Sequence, residues 1–373
     1  MINHDVGIVG LGAMGSMTAL ELARRGKSVI GFDRFRPPHP FGSSTGRSRI
    51  IREAYFEHPQ YVPLVQRAYA KWAELERDGR VELFTPTGGL MIGPAEGILV
   101  TGARRSAELH GLPFEMLSAS EVRRRFPVFL TTPRDVGLYE PRAGVLRPEA
   151  AIETALSLAA MAGAELRYEE PVLQWRSEAE VISVQTAVGV YRVRRLVLAG
   201  GAWMAGALPG SPLGLTVARQ TLFWFDAVGD RSLVAAGRMP VFIWEWKPGE
   251  MFYGFPDQGA GVKVAIHHQG MPADPDTVHR TAAPEEAERL RGVMSGLTPA
   301  FNGPLLESAV CLYTNTSDGD FLIDRSPADG RVILASPCSG HGFKFAPALG
   351  EVLADLALDR SPAFDITPFR LGR

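Results

Sequence analysis

The amino-acid sequence predicts an α/β protein in which an interrupted Rossmann-like, nucleotide-binding domain is joined to a second, α+β domain rich in β-sheet. The first 35 residues have the pattern strand, glycine turn, helix, strand. Helical and strand patterns alternate again over residues 146–207, whereas aromatic and β-branched residues crowd residues 216–270. Alternation of this kind is typical of a parallel sheet covered by helices, and the crowded segment favours a separate sheet. A chain of 373 residues is long enough for two packed domains.

The periodicity places elements of the nucleotide-binding domain at both ends and in the middle of the chain. Apolar runs predict strands, helical spacing predicts helices, and Gly26 is a stop signal. The predicted elements are strands 6–9, 28–32, 166–168 and 196–203 and helices 17–25, 61–76, 148–162 and 346–358. The residues assigned to the nucleotide-binding domain are 1–85, 146–215 and 312–373, and those assigned to the second domain are 86–145 and 216–311.

Composition narrows the class of protein. A net charge of −2 does not indicate binding to nucleic acid or to a membrane surface. No apolar run reaches the ~20 residues that span a bilayer. The chain enters an apolar strand without a basic leader, and its two cysteines are too few for a disulfide framework, so we expect a cytoplasmic protein. Only five of the 39 basic residues are lysines, which gives weight to any lysine found inside a motif.

A glycine motif in the first turn predicts dinucleotide binding. Gly10, Gly12 and Gly15 form G-x-G-x-x-G between a strand and a helix, with Ala13 and Met14 inside the motif. The glycines permit a tight turn and a close approach of the backbone to a pyrophosphate, which the helix N-terminus attracts. Asp33, at the end of the second strand, suits the adenosine ribose hydroxyls. The motif leaves FAD and NAD open and disfavours NADP.

Arginines follow the first structural unit. Arg49 and Arg52 are three residues apart, so on a helical turn they would share a face. Two guanidinium groups near a cofactor can hold a carboxylate or stabilise a reduced, anionic ring. A solvated basic face is the alternative, although the apolar pair Ile50 and Ile51 favours partial burial.

A lysine lies in a predicted strand after the segment 253–256. In the run 262–267, Lys263, Ala265 and His267 would share one face, because side chains alternate along a strand. An ammonium and an imidazole on a core strand need partners or a ligand. An edge strand with both groups in solvent is the alternative.

The C-terminal part of the chain carries a thiol, a phenol, a glycine-rich turn and a lysine in close succession. Cys311 has three interpretations: a buried core cysteine, a disulfide with Cys338, or a cysteine bonded to a cofactor. The run 339–342 opens a helix-like tail whose first N–H groups can bind an anion or a carbonyl group. Lys344, just beyond, could supply a point charge for a carboxylate.

Together these segments resemble the monomeric sarcosine oxidase family, within the larger group of D-amino-acid-oxidase-like flavoproteins. The likeness runs nearly end to end. It rests on residues 10–15, Asp33, 49–52, 253–256, Lys263 with His267, CLYTNT at 311–316 and SGHGFKF at 339–345. The last two motifs are highly specific to this family, whereas the glycine motif is not.

The resemblance implies FAD as the cofactor, attached to Cys311 through an 8α-thioether, and no metal. It implies that Arg52 and Lys344 grip the substrate carboxylate and that Lys263 lies over the flavin and activates dioxygen. The implied catalytic residues are Lys263, His267, Arg49 and Tyr253, and the implied substrate-binding residues are Arg52, Lys344, Tyr313 and Gly340. The implied cofactor-binding residues are Gly10, Gly12, Ala13, Met14, Gly15, Asp33, Val172, Cys311, Gly342, Phe343 and Lys344.

The expected activity is oxidation of sarcosine or a related N-methyl or secondary amino acid by dioxygen, giving an imine and hydrogen peroxide, in a monomer. The chain departs from the family pattern at Ile243, where sarcosine enzymes have methionine, at Ser44 and Thr45, which replace histidines, and at Arg47, which replaces an acid. Because of these departures, a larger substrate such as N-methyltryptophan or pipecolate stays an alternative. An NAD-dependent dehydrogenase and a non-enzymatic flavin-binding subunit are the rival interpretations.

Overall fold

A computed structural model describes residues 3–208 and 213–373. Residues 1–2 and 209–212, which fall inside two of the predicted domain segments, lie outside the described residues. The helices are α1 Ala13–Arg24, α2 Tyr61–Gly79, α3 Ile98–His110, α4 Ala119–Arg125, α5 Pro148–Met161, α6 Pro284–Met294 and α7 Ala346–Ala357. Within the described ranges, no helix combines the length and the apolar character that crossing a bilayer requires.

The strands form three sheets. They are β1 His4–Val9, β2 Val29–Phe32, β3 Arg49–Ile51, β4 Phe84–Pro86, β5 Gly89–Pro94, β6 Glu115–Ser118, β7 Asp135–Glu140, β8 Gly144–Leu146, β9 Glu165–Arg167, β10 Gln174–Ser177, β11 Ile182–Gln185, β12 Val190–Leu198, β13 Thr216–Phe225, β14 Val241–Lys247, β15 Glu250–Phe255, β16 Val262–Ile266, β17 Leu305–Asn315, β18 Leu322–Arg325 and β19 Val332–Ser336.

The first sheet is built around β1. Its central strands run in parallel in the order β19, β12, β1, β2, β9, while β11 and β18 join antiparallel at the sides. Helix α1 packs against α5 and α7. The α1–α7 contact is close, because a Cβ on Gly350 would lie 2.8 Å from Met17. This arrangement confirms the predicted α/β class.

The second sheet has the order β17, β13, β16, β15, β14, β5, β7, β6. Strand β16 is therefore an interior strand, and the edge-strand alternative for Lys263 is wrong. Val262 and Val264 enter one core while Ala265 enters another on the opposite side, as the alternation predicts. His267 lies one residue beyond the strand.

A small sheet of β3, β8 and β4 corrects one prediction. Residues Arg49–Ile51 pair antiparallel with β8, so the helical turn that was expected to align Arg49 with Arg52 is wrong. The β-branched isoleucines between the two arginines favour the extended backbone. Residues three apart on a strand point to opposite faces, yet both arginines line the same cavity, because Arg52 lies just beyond the strand end.

The other predicted elements are confirmed with shifted ends. Helix α1 begins four residues earlier than predicted, and α2 runs three residues further. The predicted strand 196–203 is wrong at both ends: β12 begins at Val190, and a 3-10 turn follows at Gly201–Gly206.

Three of the predicted domain boundaries (85/86, 145/146 and 311/312) fall inside β4, β8 and β17. The division into two domains stays a proposal, with each boundary moved to a strand end.

The glycine turn gives a test of the packing. A Cβ on Gly15 would lie 1.8 Å from the carbonyl oxygen of Gly10, whereas a Cβ on Gly292 in α6 would meet nothing within 4 Å. We expect Gly15→Ala to lower the free energy of unfolding by about 2–3 kcal/mol through overpacking. Gly292→Ala, the same substitution in an open helix, should raise it by about 0.5–1 kcal/mol. Urea titrations measure both changes, and a neutral Gly15→Ala would contradict this account of the turn.

Candidate active site

A cavity of about 720 Å³ is lined by both large sheets. The parallel strands of the first sheet open into it at their carboxyl ends through residues such as Val9, Phe32 and Leu198. Ligands bind at this edge of open α/β sheets. Ile243 from β14 and Leu312 from β17 belong to the part of the wall that the second sheet contributes.

The glycine turn forms one end of the cavity. Gly12 precedes α1 and provides no side-chain cap, so the first N–H groups of the helix have no partner within the helix. A Cβ on Gly12 would meet only the Ser44 hydroxyl, at 3.9 Å, so the turn is open on its cavity side. An uncapped, uncovered helix N-terminus fits a pyrophosphate.

Asp33 braces this turn. Its Oδ2 accepts from the N–H of Leu11 at 2.8 Å, and its Oδ1 accepts from the N–H of Phe35 at 2.9 Å. Each carboxylate oxygen can accept a further bond, so ribose hydroxyls remain acceptable partners. Burial raises the pKa of Asp33 above its ordinary value, against the two backbone bonds that lower it.

Arg49 organises the loop before β3. Its guanidinium donates to the carbonyl oxygens of Ser43, Thr45 and Ser48, at 2.7, 2.6 and 2.8 Å. These bonds leave its positive charge beside the cavity but commit much of its hydrogen-bonding capacity to the loop.

Lys263 is buried next to this loop. Its Nζ donates to the carbonyl oxygens of Gly46 and Ser48, at 2.7 and 2.9 Å, and to the Ser48 hydroxyl at 3.1 Å. Three acceptors match the three N–H bonds of an ammonium. Burial, with Arg49 nearby, lowers the pKa of Lys263 well below its ordinary value. Lys263 does not line the cavity itself; Ser48 stands at the wall in front of it.

Arg52 is buried beside an acid that the sequence interpretation missed. Its Nη2 donates to both carboxylate oxygens of Glu57, at 2.8 and 2.6 Å, and its Nη1 donates to the carbonyl oxygen of Ala54. Burial alone would raise the pKa of Glu57, but Arg52 and neighbouring groups lower it below its ordinary value. The ion pair compensates the guanidinium in a site where only 2% of Arg52 is exposed.

Lys344 is a second buried cation on the same wall. Its Nζ donates to the carbonyl oxygen of His341 at 2.7 Å and to the Tyr55 hydroxyl at 3.4 Å. Burial and the nearby Arg52 lower the pKa of Lys344 to about 7. Two cations on one wall of a cavity attract a carboxylate, and they repel each other.

Aromatic and imidazole groups line another part of the cavity. Tyr313 reaches His267 at 3.5 Å between Oη and Nδ1, and Tyr253 is half-buried. Burial, reinforced by His268, lowers the pKa of His267 well below its ordinary value, so its imidazole is neutral at pH 7. Gly340 has a φ of 77°, and a Cβ there would lie 2.6 Å from the Tyr313 ring. Only glycine therefore fits beside this ring.

Cys311 lines the cavity as a free thiol, and Cys338 is free as well. The disulfide alternative is therefore wrong for this structure. Burial raises the pKa of the Cys311 thiol, while Arg49 and Lys263 act in the opposite direction. A thiol next to two cations is a candidate for covalent chemistry.

The cavity brings most of the predicted residues together. Besides Lys263, only Gly15 of the predicted set does not line it, because Gly15 packs against Gly10. The lining includes the expected Val172, Gly342 and Phe343. Residues of the cavity that the sequence interpretation missed are Ile50, Phe56, Glu57, Trp175, Trp203 and His341. For Glu57, the available signal was an acid five positions after Arg52, and Glu53, directly after Arg52, gave the same signal.

Comparisons with known proteins agree on one family. A family model described as DAO, FAD dependent oxidoreductase, matches residues 5–356. Monomeric sarcosine oxidase of Streptomyces avermitilis is 41% identical over 370 residues, covering 98% of this chain and 96% of the relative. N-methyl-L-tryptophan oxidase of Salmonella typhimurium is 35% identical over 381 residues, covering 100% of this chain and 99% of the relative.

Solved structures show the same fold. NikD, an amino acid oxidase of nikkomycin biosynthesis, matches with a TM-score of 0.86 at 24% identity, covering 100% of this chain and 98% of that chain. Glycine oxidase from Geobacillus kaustophilus matches with a TM-score of 0.83 at 22% identity, covering 99% of this chain and 98% of that chain.

The fold and the cavity thus define an oxidoreductase that uses a dinucleotide. The chain belongs to the DAO family of FAD-dependent oxidoreductases. The resemblance drawn from the motifs is confirmed, and the choice between FAD and NAD, which the glycine motif left open, is FAD. The NAD-dependent alternative is wrong.

The Arg52–Glu57 pair gives a stability test. Glu57→Gln leaves a buried guanidinium without its counter-charge, so we expect the free energy of unfolding to fall by about 3 kcal/mol at pH 7. The folded-state pKa of Glu57 is below the ordinary 4.5. Its contribution is therefore complete above pH 4.5 and is lost as the pH falls through the folded-state pKa.

Urea titrations at pH 7 and pH 4 measure this difference between wild type and variant, which should shrink at pH 4. Glu108→Gln is the control, since the Arg104–Glu108 pair is more than half exposed, and it should cost under about 0.5 kcal/mol. Equal losses at the two positions would contradict the buried pair's importance.

Proposed function

We propose that this protein is an FAD-dependent oxidase of sarcosine or a related small N-methyl or secondary amino acid. The products are an imine, which hydrolyses to an aldehyde and an amino acid, and hydrogen peroxide. The observation that carries the proposal is the pair of buried cations, Arg52 and Lys344, on one wall of a cavity that also contains Cys311.

The two cations bind the substrate carboxylate. Lys344 presents an ammonium with one N–H left after its contacts to His341 and Tyr55. Arg52 already holds Glu57, so an incoming carboxylate shares the guanidinium with Glu57 or displaces it. Charge-assisted contacts of this kind fix the position of the reacting carbon, which is a positioning effect.

The amine end lies against Tyr253, His267 and Tyr313. A neutral imidazole adds no charge that would repel the amine, and the desolvated, cationic surroundings lower the pKa of that amine. The amine must be neutral before a hydride can leave its neighbouring carbon, so the pocket favours the reactive protonation state.

The family's cofactor fits this cavity. The open glycine turn and Asp33 would hold the pyrophosphate and the ribose, and Arg49 would add positive charge beside the ring system. When bound, FAD supplies the two-electron oxidant and passes those electrons to dioxygen. Lys263 contributes positive charge behind Ser48, which would stabilise negative charge developing on oxygen.

We also infer that Cys311 carries the flavin through a thioether and that the enzyme is a cytoplasmic monomer. The position of the Cys311 thiol on the cavity wall supports the first inference. Two free cysteines favour the cytoplasm, and the name of the relative monomeric sarcosine oxidase favours a monomer. A net charge of −2 offers no attraction for nucleic acid.

A larger substrate is the second candidate. Relatives named N-methyl-L-tryptophan oxidase are 35% identical over the whole chain. Ile243 lines the cavity. The resemblance places it, or a neighbour, where the family's sarcosine enzymes have methionine. N-methyltryptophan and pipecolate would use the same two cations for their carboxylates.

A substrate panel tests the function. Purified, flavin-loaded protein is given sarcosine, pipecolate, N-methyl-L-tryptophan and dimethylamine, and peroxide is measured. Dimethylamine keeps the N-methyl group but lacks the carboxylate, so we expect its kcat/KM to be at least about 100-fold below that of the preferred amino acid. Peroxide from dimethylamine at a similar rate, or none from any amino acid, would contradict the proposal.

The two cysteines test the covalent link. Both line the cavity, so they form a matched pair. After acid precipitation the flavin absorbance should stay with wild type and with Cys338→Ser, and it should appear in the supernatant for Cys311→Ser. Release of all flavin from wild type would show that the link does not exist.

A further inference from the structure

A buried chain of hydrogen bonds ends at Lys344. His341 Nε2 lies 2.9 Å from the carbonyl oxygen of Gly319, and its Nδ1 lies 2.5 Å from the Tyr55 hydroxyl. A carbonyl oxygen only accepts, so Nε2 carries the proton and Nδ1 of the neutral ring must accept. The Tyr55 O–H therefore points at His341.

This orientation decides what Tyr55 offers to Lys344. Because the hydroxyl proton is committed to His341, only the lone pairs of Oη face the Nζ of Lys344, 3.4 Å away. A hydroxyl free to rotate could instead donate to a neutral amine. The chain thus favours the charged form of Lys344 over the neutral one.

Tyr55 also touches the other cation. The Cζ of Arg52 lies 4.3 Å from the centroid of the Tyr55 ring, and the Nζ of Lys344 lies 5.1 Å from it. Tyr55 is fully buried, as is the ring of His341 for the most part. One phenol therefore lies between the two cations and contacts both.

We propose that Tyr55, oriented by His341, is a positioning residue of the substrate site that holds Lys344 as a charged donor beside Arg52. The inference rests on the proposed function and deepens it, since it explains how two adjacent cations remain ready for one carboxylate. It assigns a function to the side chain of His341, which otherwise has none in the glycine-rich turn.

The buried, cationic surroundings of Lys344 disfavour its charged form, so the hydrogen-bond chain is needed to hold it. The charged and titratable groups around Lys344 are Arg52, Glu57, Arg49, Tyr55, His341 and His267. Burial and Arg52 lower the pKa of Lys344 to about 7, and Glu57 acts in the opposite direction. Burial lowers the pKa of His341 to about 4, so its ring stays neutral and keeps its tautomer near neutral pH.

Acetate is the probe for the carboxylate site, and its binding is followed by the absorbance of the flavin-loaded enzyme. Tyr55→Phe keeps the ring against Arg52 and removes the hydroxyl, which is both the acceptor for Lys344 and the donor to His341. We expect the Kd of acetate to rise about five- to tenfold at pH 8 and less at pH 6, where Lys344 is protonated in both proteins. The KM of the amino acid should rise in the same proportion, with kcat within about twofold.

Tyr61→Phe is the matched control. Tyr61 belongs to the same aromatic cluster, but its hydroxyl donates to Asp320. Its loss should leave the Kd of acetate and its pH dependence unchanged.

His341→Phe keeps the stacking on Phe321 and removes the acceptor for Tyr55, so it provides a second route if Tyr55→Phe does not fold. It should weaken acetate binding in the same pH-dependent way. The double variant should be no weaker than Tyr55→Phe, because both act through one chain.

The outcomes of these experiments distinguish failure of the proposed function from failure of this inference alone. If wild type neither binds acetate nor makes peroxide from an amino acid, the proposed function fails, and this inference fails with it. If wild type does both but Tyr55→Phe and His341→Phe bind acetate like wild type at pH 8, only this inference is overturned. Equal weakening at pH 6 and pH 8 would also overturn it, because a structural defect would not follow the titration of Lys344.

Discussion

The site depends on burying two cations, Arg52 and Lys344, on one wall of a cavity. Each buried charge costs several kcal/mol unless it is paired or hydrogen-bonded, and two like charges add repulsion. Glu57 neutralises Arg52, while the phenol ring of Tyr55 and the carbonyl oxygen of His341 support Lys344. The cations lie far apart in the chain, so the cavity wall exists only when the segment after β3 and the C-terminal turn are folded together.

The two large sheets contribute different parts of the site. The carboxyl ends of β1, β2 and β12 and the uncapped start of α1 form a place for a pyrophosphate and a ribose. The second sheet supplies the Cys311 thiol and the phenols of Tyr253 and Tyr313 to the cavity, with Lys263 behind Ser48. The arrangement suits a cofactor that does the electron transfer while the protein binds, orients and tunes.

Local patterns predicted the parts of the fold that local physics determines. The glycine turn, the helices and the strand around Lys263 followed from spacing, whereas the choice between an edge and an interior position for β16 was made only by its partner strands. The helical turn at Arg49 was wrong because a spacing of three residues fits a helix and a strand end equally, and the choice was made by β8, a distant partner strand. Glu57, Tyr55 and His341 were missed because their significance comes from contacts across the whole chain. The position of Lys263 behind Ser48 was also unreadable, since a remote loop stands in front of it.

The most direct measurement is the Kd of acetate as a function of pH in the flavin-loaded wild type and in Lys344→Met. Burial and Arg52 lower the pKa of Lys344 to about 7, whereas a guanidinium such as that of Arg52 stays charged. The account predicts that wild-type affinity falls as the pH rises above about 7 because the ammonium is lost. Lys344→Met should bind weakly at pH 6 with little dependence on pH. Wild-type binding that is independent of pH, or a variant that binds as tightly as wild type at pH 6, would contradict the claim that two buried cations hold the substrate carboxylate.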